Sequence, residues 1–220
     1  MRTERRRAPG IVLVALMMSA LMIVAPVARG QQLLDDFLAA VANDWAANAK
    51  ALLARGVDPN SVDRNGDPAL VIAARAGNLA TVEVLLAARA NVNVRNAYGD
   101  SALMLAALSG NLELVKKLRA RGAEINHRGW TPLLYAATGG HDAIVRYLLA
   151  EGAKVDARSP NGTTALMMSA REKRESTLAL LIASGADVNQ RNDDGASALD
   201  WAERSGAPTL AEHLRRAGAR

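Results

Sequence analysis

The chain has 220 residues, half of them hydrophobic, yet only 3% are aromatic and Phe37 is the single Phe. A core drawn from Ala, Leu, Val and Met packs as close helices, and the scarcity of aromatic side chains argues against an extensive sheet. The absence of Cys excludes disulfides, thiolate catalysis and zinc-finger spacing, and the formal charge of +5 does not describe the whole chain evenly.

Residues 1–30 carry Arg2, Arg5, Arg6, Arg7 and Arg29 against Glu4, which leaves a net charge of only +1 on the remainder. A nearly neutral body lacks the basic footprint of a DNA or RNA binder. The same first thirty residues read as an address. Arg5 to Arg7 precede an apolar run from Ile11 to Ala25 broken only by Ser19, and Ala28-Arg29-Gly30 places small residues at −3 and −1. This pattern predicts a secretory signal cleaved after Gly30, with cleavage after Ala28 as an alternative. A retained N-terminal anchor is the competing reading, although the run to Val27 spans 17 residues, the short limit for crossing a bilayer. Twin-Arg export fits less well, because the flanking residues of that signal are missing. In either reading the body of the chain is carried across the membrane. The periplasm is the expected destination, with release from the cell second and an inner-membrane anchor facing the periplasm third.

Beyond the leader the chain repeats. Gly66, Gly99, Gly129, Gly162 and Gly195 lie 33, 30, 33 and 33 residues apart. Each opens a similar string: Asp67-Pro68-Ala69-Leu70, Asp100-Ser101-Ala102-Leu103, Trp130-Thr131-Pro132-Leu133, Thr163-Thr164-Ala165-Leu166 and Ala196-Ser197-Ala198-Leu199. Ser or Thr at that place caps a helix, and Pro or Ala suits its first turn. Small residues such as Ala73-Ala74, Ala106-Ala107 and Ala136-Ala137 let that helix lie close to its neighbours. After a break at Gly77-Asn78, Gly110-Asn111 or Gly140-His141 comes a second amphipathic, Leu-rich stretch. The unit closes on sequences such as Gly185-Ala186-Asp187-Val188-Asn189, with a helix-ending left-handed position followed by turn formers. No such unit buries its apolar side alone, so the units must stack.

The period, with Gly-Trp-Thr-Pro-Leu at 129–133, Gly-Gly-His at 139–141 and Gly-Ala-Asp-Val-Asn at 185–189, strongly resembles ankyrin repeats. The resemblance implies an all-α solenoid in which each unit is a pair of antiparallel helices plus a hairpin or loop. Its units would be a degenerate N-terminal repeat at 31–62 and full repeats at 63–95, 127–158 and 159–191. The repeat at 96–126 is short by three residues, which predicts a curtailed hairpin near Asn126 to Gly129. A capping repeat at 192–220 turns Arg215 and Arg216 to solvent, as a terminal unit requires. The family's His after Thr-Pro-Leu is replaced throughout, by Val71, Met104, Leu134, Met167 and Asp200, and apolar packing is expected in its place. Arg89 stands where the pattern calls for a left-handed Gly.

Chemistry is sparse. His127, His141 and His213 fall in different units with no metal-ligand spacing, and neither a nucleophile elbow nor a phosphate loop occurs. The pairs Asp35-Asp36 and Asp193-Asp194 read as helix-start and turn charges. No enzyme activity, cofactor or metal is expected. What the resemblance implies instead is a protein-binding surface made of hairpin tips and the exposed side of each first helix. On this chain those positions are Arg64, Asp67, Arg75, Arg95, Tyr98, Asp100, Leu108, Arg128, Trp130, Arg158, Arg171 and Arg191. Tyr98 and Trp130 are of the type that anchors interfaces, with packing between hairpins as the alternative. Trp45, Tyr135 and Trp201 fall at inward helix positions and are expected in the core. The expected partner is another protein, bound by a monomer, with no nucleic acid and with the membrane touched only through an uncleaved leader.

Overall fold

The computed structural model describes residues 30–220. The expected leader therefore lies, but for Gly30, outside the described residues. Twelve helices follow in chain order: α1 over 30–42, α2 Ala46–Ala54, α3 Ala69–Ala76, α4 Leu79–Ala87, α5 Ala102–Leu108 and α6 Leu112–Ala120. The second half continues with α7 Pro132–Gly139, α8 Asp142–Ala150, α9 Ala165–Arg171, α10 Glu175–Ala183, α11 Ala198–Arg204 and α12 Pro208–Arg216. None of the described helices is long and apolar enough to cross a membrane.

Short turns such as Gly77-Asn78 fold each second helix back on its partner. The pairs α3–α4, α5–α6, α7–α8, α9–α10 and α11–α12 are the local units. First helices α3, α5, α7, α9 and α11 pack on one another in sequence and form the inner layer. Alanines make that approach possible: Ala73, Ala74, Ala106, Ala107, Ala136, Ala137 and Ala170 are fully buried. The second helices form an outer layer, and one continuous apolar core runs from Phe37 to Leu214.

The first helices start where the capping residues put them. Ser101, Thr131 and Thr164 hydroxyls accept from the amides of Met104, Leu134 and Met167. Ser197 accepts from the Asp200 amide at 3.2 Å, and the Asp200 carboxylate in turn accepts from the Ser197 amide at 2.7 Å. The residues standing in for the family's His divide accordingly. Val71, Met104, Leu134 and Met167 are buried apolar side chains, whereas Asp200 closes this capping box.

Two ladders of polar side chains tie unit to unit. In one, Asn60, Asn93, Asn126, Asp156 and Asn189 accept through Oδ1 from the amides of Asn91, Glu124, Lys154, Asp187 and Arg220. In the other, side chains in the turns reach back to the preceding unit. The Asn78 amide donates to the Val41 carbonyl at 2.9 Å, and Arg174 Nε donates to the Thr138 carbonyl at 3.1 Å. His141 Nε2 meets the Leu108 carbonyl at 2.8 Å, so this histidine is a strut between units. The second ladder satisfies carbonyls at helix ends that would otherwise need water, and the first satisfies amides in the loops that follow the second helices.

The hairpins shrink to single antiparallel bridges, Val62 with Pro68, Arg95 with Ser101 and Arg191 with Ser197, and the described residues contain no longer strand. Trp45 departs from the sequence-based expectation. It is 55% exposed, because it sits in the turn before α2 rather than inside the helix. There it lies with Asp36, Ala39 and Asn48 along a shallow depression of the N-terminal unit. Tyr135 and Trp201 are partly buried against the core.

Candidate protein-binding face

The hairpin tips are built by a repeated local device. Asp63, Asn96, Ser159 and Asn192 each accept, through a side-chain oxygen, from the amide four residues ahead. Their own amides donate to the carbonyls of Asp67, Asp100, Thr163 and Ala196. These four tips are thereby closed loops with few free backbone groups. The segment 127–130, three residues short, has no such closure. Among the described residues its main chain makes no backbone–backbone hydrogen bond, and like the tip at 159–163 it lacks the bridge formed at 62–68, 95–101 and 191–197. The row of tips carries a notch at this point.

The expected face divides into a scaffold and an accessible part. Asp67, expected as an accessible carboxylate, is only 6% exposed. It accepts from Arg75 at 2.7 Å, and that hydrogen bond, opposed by burial and helped by Asn96, holds its carboxyl below the usual range. Its burial takes it out of direct reach of a partner. Arg158 lies 3.5 Å from Asp193, Arg171 lies 2.8 Å from Glu172 and stacks over the Trp201 ring, and Arg191 lies 3.2 Å from Asp200. Arg64 points outward, with Asp35 at 3.8 Å. Much of the arginine series thus completes internal pairs. Such half-exposed pairs add little stability each, but they leave the face nearly neutral over most of its length.

Of the exposed large apolar side chains, Tyr98 and Leu108 belong to the unit that precedes the notch, and Trp45 and Val62 lie nearer the N-terminus. Tyr98 projects from its hairpin tip with 86% of its surface exposed, and Leu108 at the end of α5 is 39% exposed. Trp130 is partly buried and meets the Tyr135 ring edge-on, with centroids 5.8 Å apart at 69°. The Tyr135 hydroxyl donates to the Asp100 carboxylate. Burial first, then that bond, raises the hydroxyl's pKa well above its usual value. Asp100 is therefore engaged in holding Tyr135, and Tyr135 in turn buttresses Trp130. Sequence periodicity assigned Tyr135 to the core and missed this supporting role. The available signal was its hydroxyl, since a buried Tyr needs a hydrogen-bond partner.

Arg95 and Arg128 flank the notch. Arg95 Nη1 lies 3.2 Å from His127 Nδ1 and donates to the Gly99 carbonyl at 3.4 Å. His127 Nδ1 also lies 2.9 Å from the Arg128 carbonyl, so the ring sits between the two arginine positions. Burial, with Arg95 adding to it, lowers the imidazole pKa, while its contact with the Arg128 carbonyl and the charge of Glu124 act the other way. No group of three or more His, Asp or Glu able to hold a metal ion occurs among the described residues.

Stacked helix pairs with a hairpin row and an aromatic, arginine-flanked face define a helical-repeat solenoid whose accessible surface suits macromolecular contact. A family model described as ankyrin repeats (3 copies) matches residues 37–129 and 121–192. The chain belongs to the ankyrin repeat family, whose repeats are generally protein–protein interaction modules. No curated protein gave a match.

Proposed function

We propose that this chain is a non-enzymatic binding module of the periplasm, which holds or positions another envelope protein on its hairpin and first-helix face. The carrying observation is the exposure of Tyr98 on the hairpin tip that precedes the buttressed Trp130, with Leu108 exposed at the far end of α5. Large apolar groups on a rigid base, rimmed by arginine, have the makeup of an interface centre. The periplasmic assignment is supported by the basic, apolar and small-residue order of residues 1–30.

Affinity capture from an envelope fraction tests the surface, with the Tyr98→Ala/Trp130→Ala double variant as comparison. Specific capture by the wild type and loss by the variant support it. Equal capture by both refutes it. The mass of the purified protein and its fractionation test the address: a chain beginning at Gln31 and released with periplasmic contents is expected. An intact leader in the membrane fraction would make it an anchored scaffold, and recovery from the medium would make it a secreted factor.

A further inference from the structure

We propose that the notch at 127–130 is a docking place for an acidic, extended segment of the partner protein, with one apolar side chain seated beside Trp130. This rests on the face proposed above and names the chemistry of what it takes. Three independent observations meet at this one point of the solenoid.

The first is charge. Arg75, Arg158, Arg171 and Arg191 each lie within 4.0 Å of a carboxylate of the chain. Arg95 and Arg128 form no ion pair among the described residues, and both border the notch. Arg95 lies beside His127, where burial disfavours a further positive charge. The Asp100 carboxylate keeps its charge while accepting from Tyr135, and Glu124 acts on His127, but neither forms an ion pair with Arg95 or Arg128 among the described residues. A pair of cations left over where the other pairs are closed calls for negative charge on the partner.

The second is backbone. Segment 127–130 has its own amides and carbonyls unmatched by other backbone groups, unlike the closed tips at 63–67 and 96–100. An extended peptide supplies matching groups along its length, as in strand addition. The third is shape. Pro160 of the following unit packs beside Gly129, with Cγ 3.6 Å from where a β-carbon would stand. Tyr98 rises from the preceding tip. A short segment between these walls reaches Trp130 with one side chain while its neighbours face Arg95 and Arg128. Arg128 has the planar donor fork that takes a carboxylate by two parallel bonds.

The test is selection from a displayed library of random ten-residue peptides on the purified mature protein. Anisotropy titrations of the enriched peptides follow, against Arg95→Ala/Arg128→Ala, Arg128→Glu and Tyr98→Ala/Trp130→Ala. The proposal expects Asp and Glu around one apolar residue, affinity that falls with salt, and a loss of about tenfold or more in the arginine variants. The Arg128 side chain makes no hydrogen bond or ion pair among the described residues, so an unchanged melting curve is expected for Arg128→Glu, whereas Arg95→Ala gives up the bond to the Gly99 carbonyl. Neutral or basic enriched peptides, or full affinity in both arginine variants, overturn it. If the aromatic pair alone abolishes binding, the face survives and the acidic assignment fails. If neither pair matters, both fail. An oligothymidylate twelve-mer included as competitor must not displace the peptides; displacement through Arg95 and Arg128 would make the notch a nucleic-acid site and overturn the peptide assignment.

Discussion

Arg89 and Lys173 have φ values of +63° and +56°, a conformation that costs an ordinary L-residue about 1–2 kcal/mol. Arg89 follows α4 at a place occupied in other units by Gly56, Gly122, Gly152, Gly185 and Gly218, and Lys173 corresponds to Gly77, Gly110, Gly140 and Gly206. Both side chains are exposed, and neither makes a hydrogen bond or ion pair among the described residues. Replacement by Gly relieves the strain but adds about 0.5–1 kcal/mol of unfolded-state entropy. The balance is a gain of about 0.5–1 kcal/mol per site. In a domain of this size that raises Tm by roughly 1–4 °C, and the two sites are far enough apart for their effects to add. Asp44 supplies the internal control. It shares the conformation at φ +55°, but its carboxylate accepts from the Thr81 amide at 3.1 Å and hydroxyl at 2.7 Å. Thr81 is fully buried, so losing that partner costs about 1–3 kcal/mol and reverses the sign. Melting curves by circular dichroism at 222 nm are expected to rank Arg89→Gly/Lys173→Gly above wild type and wild type above Asp44→Gly. Arg89→Ala separates strain from charge, because Ala keeps the strained backbone. Equal gains from Arg89→Ala and Arg89→Gly, or a lower Tm in the glycine variants, would refute the strain argument.

Three further outcomes follow from particular contacts. Asn126 accepts from the Lys154 amide at 3.0 Å and donates to the Gly152 carbonyl at 2.8 Å. Asn126→Ala is expected to cost about 1–2 kcal/mol, read by urea denaturation, and to speed amide exchange at Lys154. Phe37 is fully buried, and Phe37→Ala is expected to cost about 3–5 kcal/mol, with exchange protection lost first in α1 and α2. His127 has its pKa lowered from 6.5 in the folded chain. Below that pH the unfolded state binds the proton first, so the stability His127 contributes at neutral pH is lost as pH falls through 6.5 toward the folded value. Wild-type Tm is therefore expected to drop more between pH 7 and about pH 5 than that of His127→Gln; identical pH profiles would show that the ring is free to charge in place.

The period of 33 residues, the alanine faces and the Ser or Thr caps made the stacked helix pairs legible in the one-dimensional order of residues. Each of these is a local requirement: a cap acts within one turn, and a small residue acts wherever two helices must approach. The single spacing of 30 residues likewise marked where the hairpin row is broken. Which charges remain available was decided by the tertiary structure. Arg75, Arg95, Arg128 and Arg158 look alike in sequence. Arg75 reaches a carboxylate eight residues away in the chain and Arg158 one 35 residues away, while Arg95 and Arg128 reach none among the described residues. The same holds for the aromatics. Trp45 read as core but lies in a turn at the outer unit, whereas Tyr135 packs against the core as read and in addition donates to Asp100 of the neighbouring unit and meets Trp130 edge-on. A repeat pattern specifies how each unit folds and stacks. Stacking brings together side chains about one repeat apart, and only their identities in three dimensions determine which pairs close and which stay open to a partner.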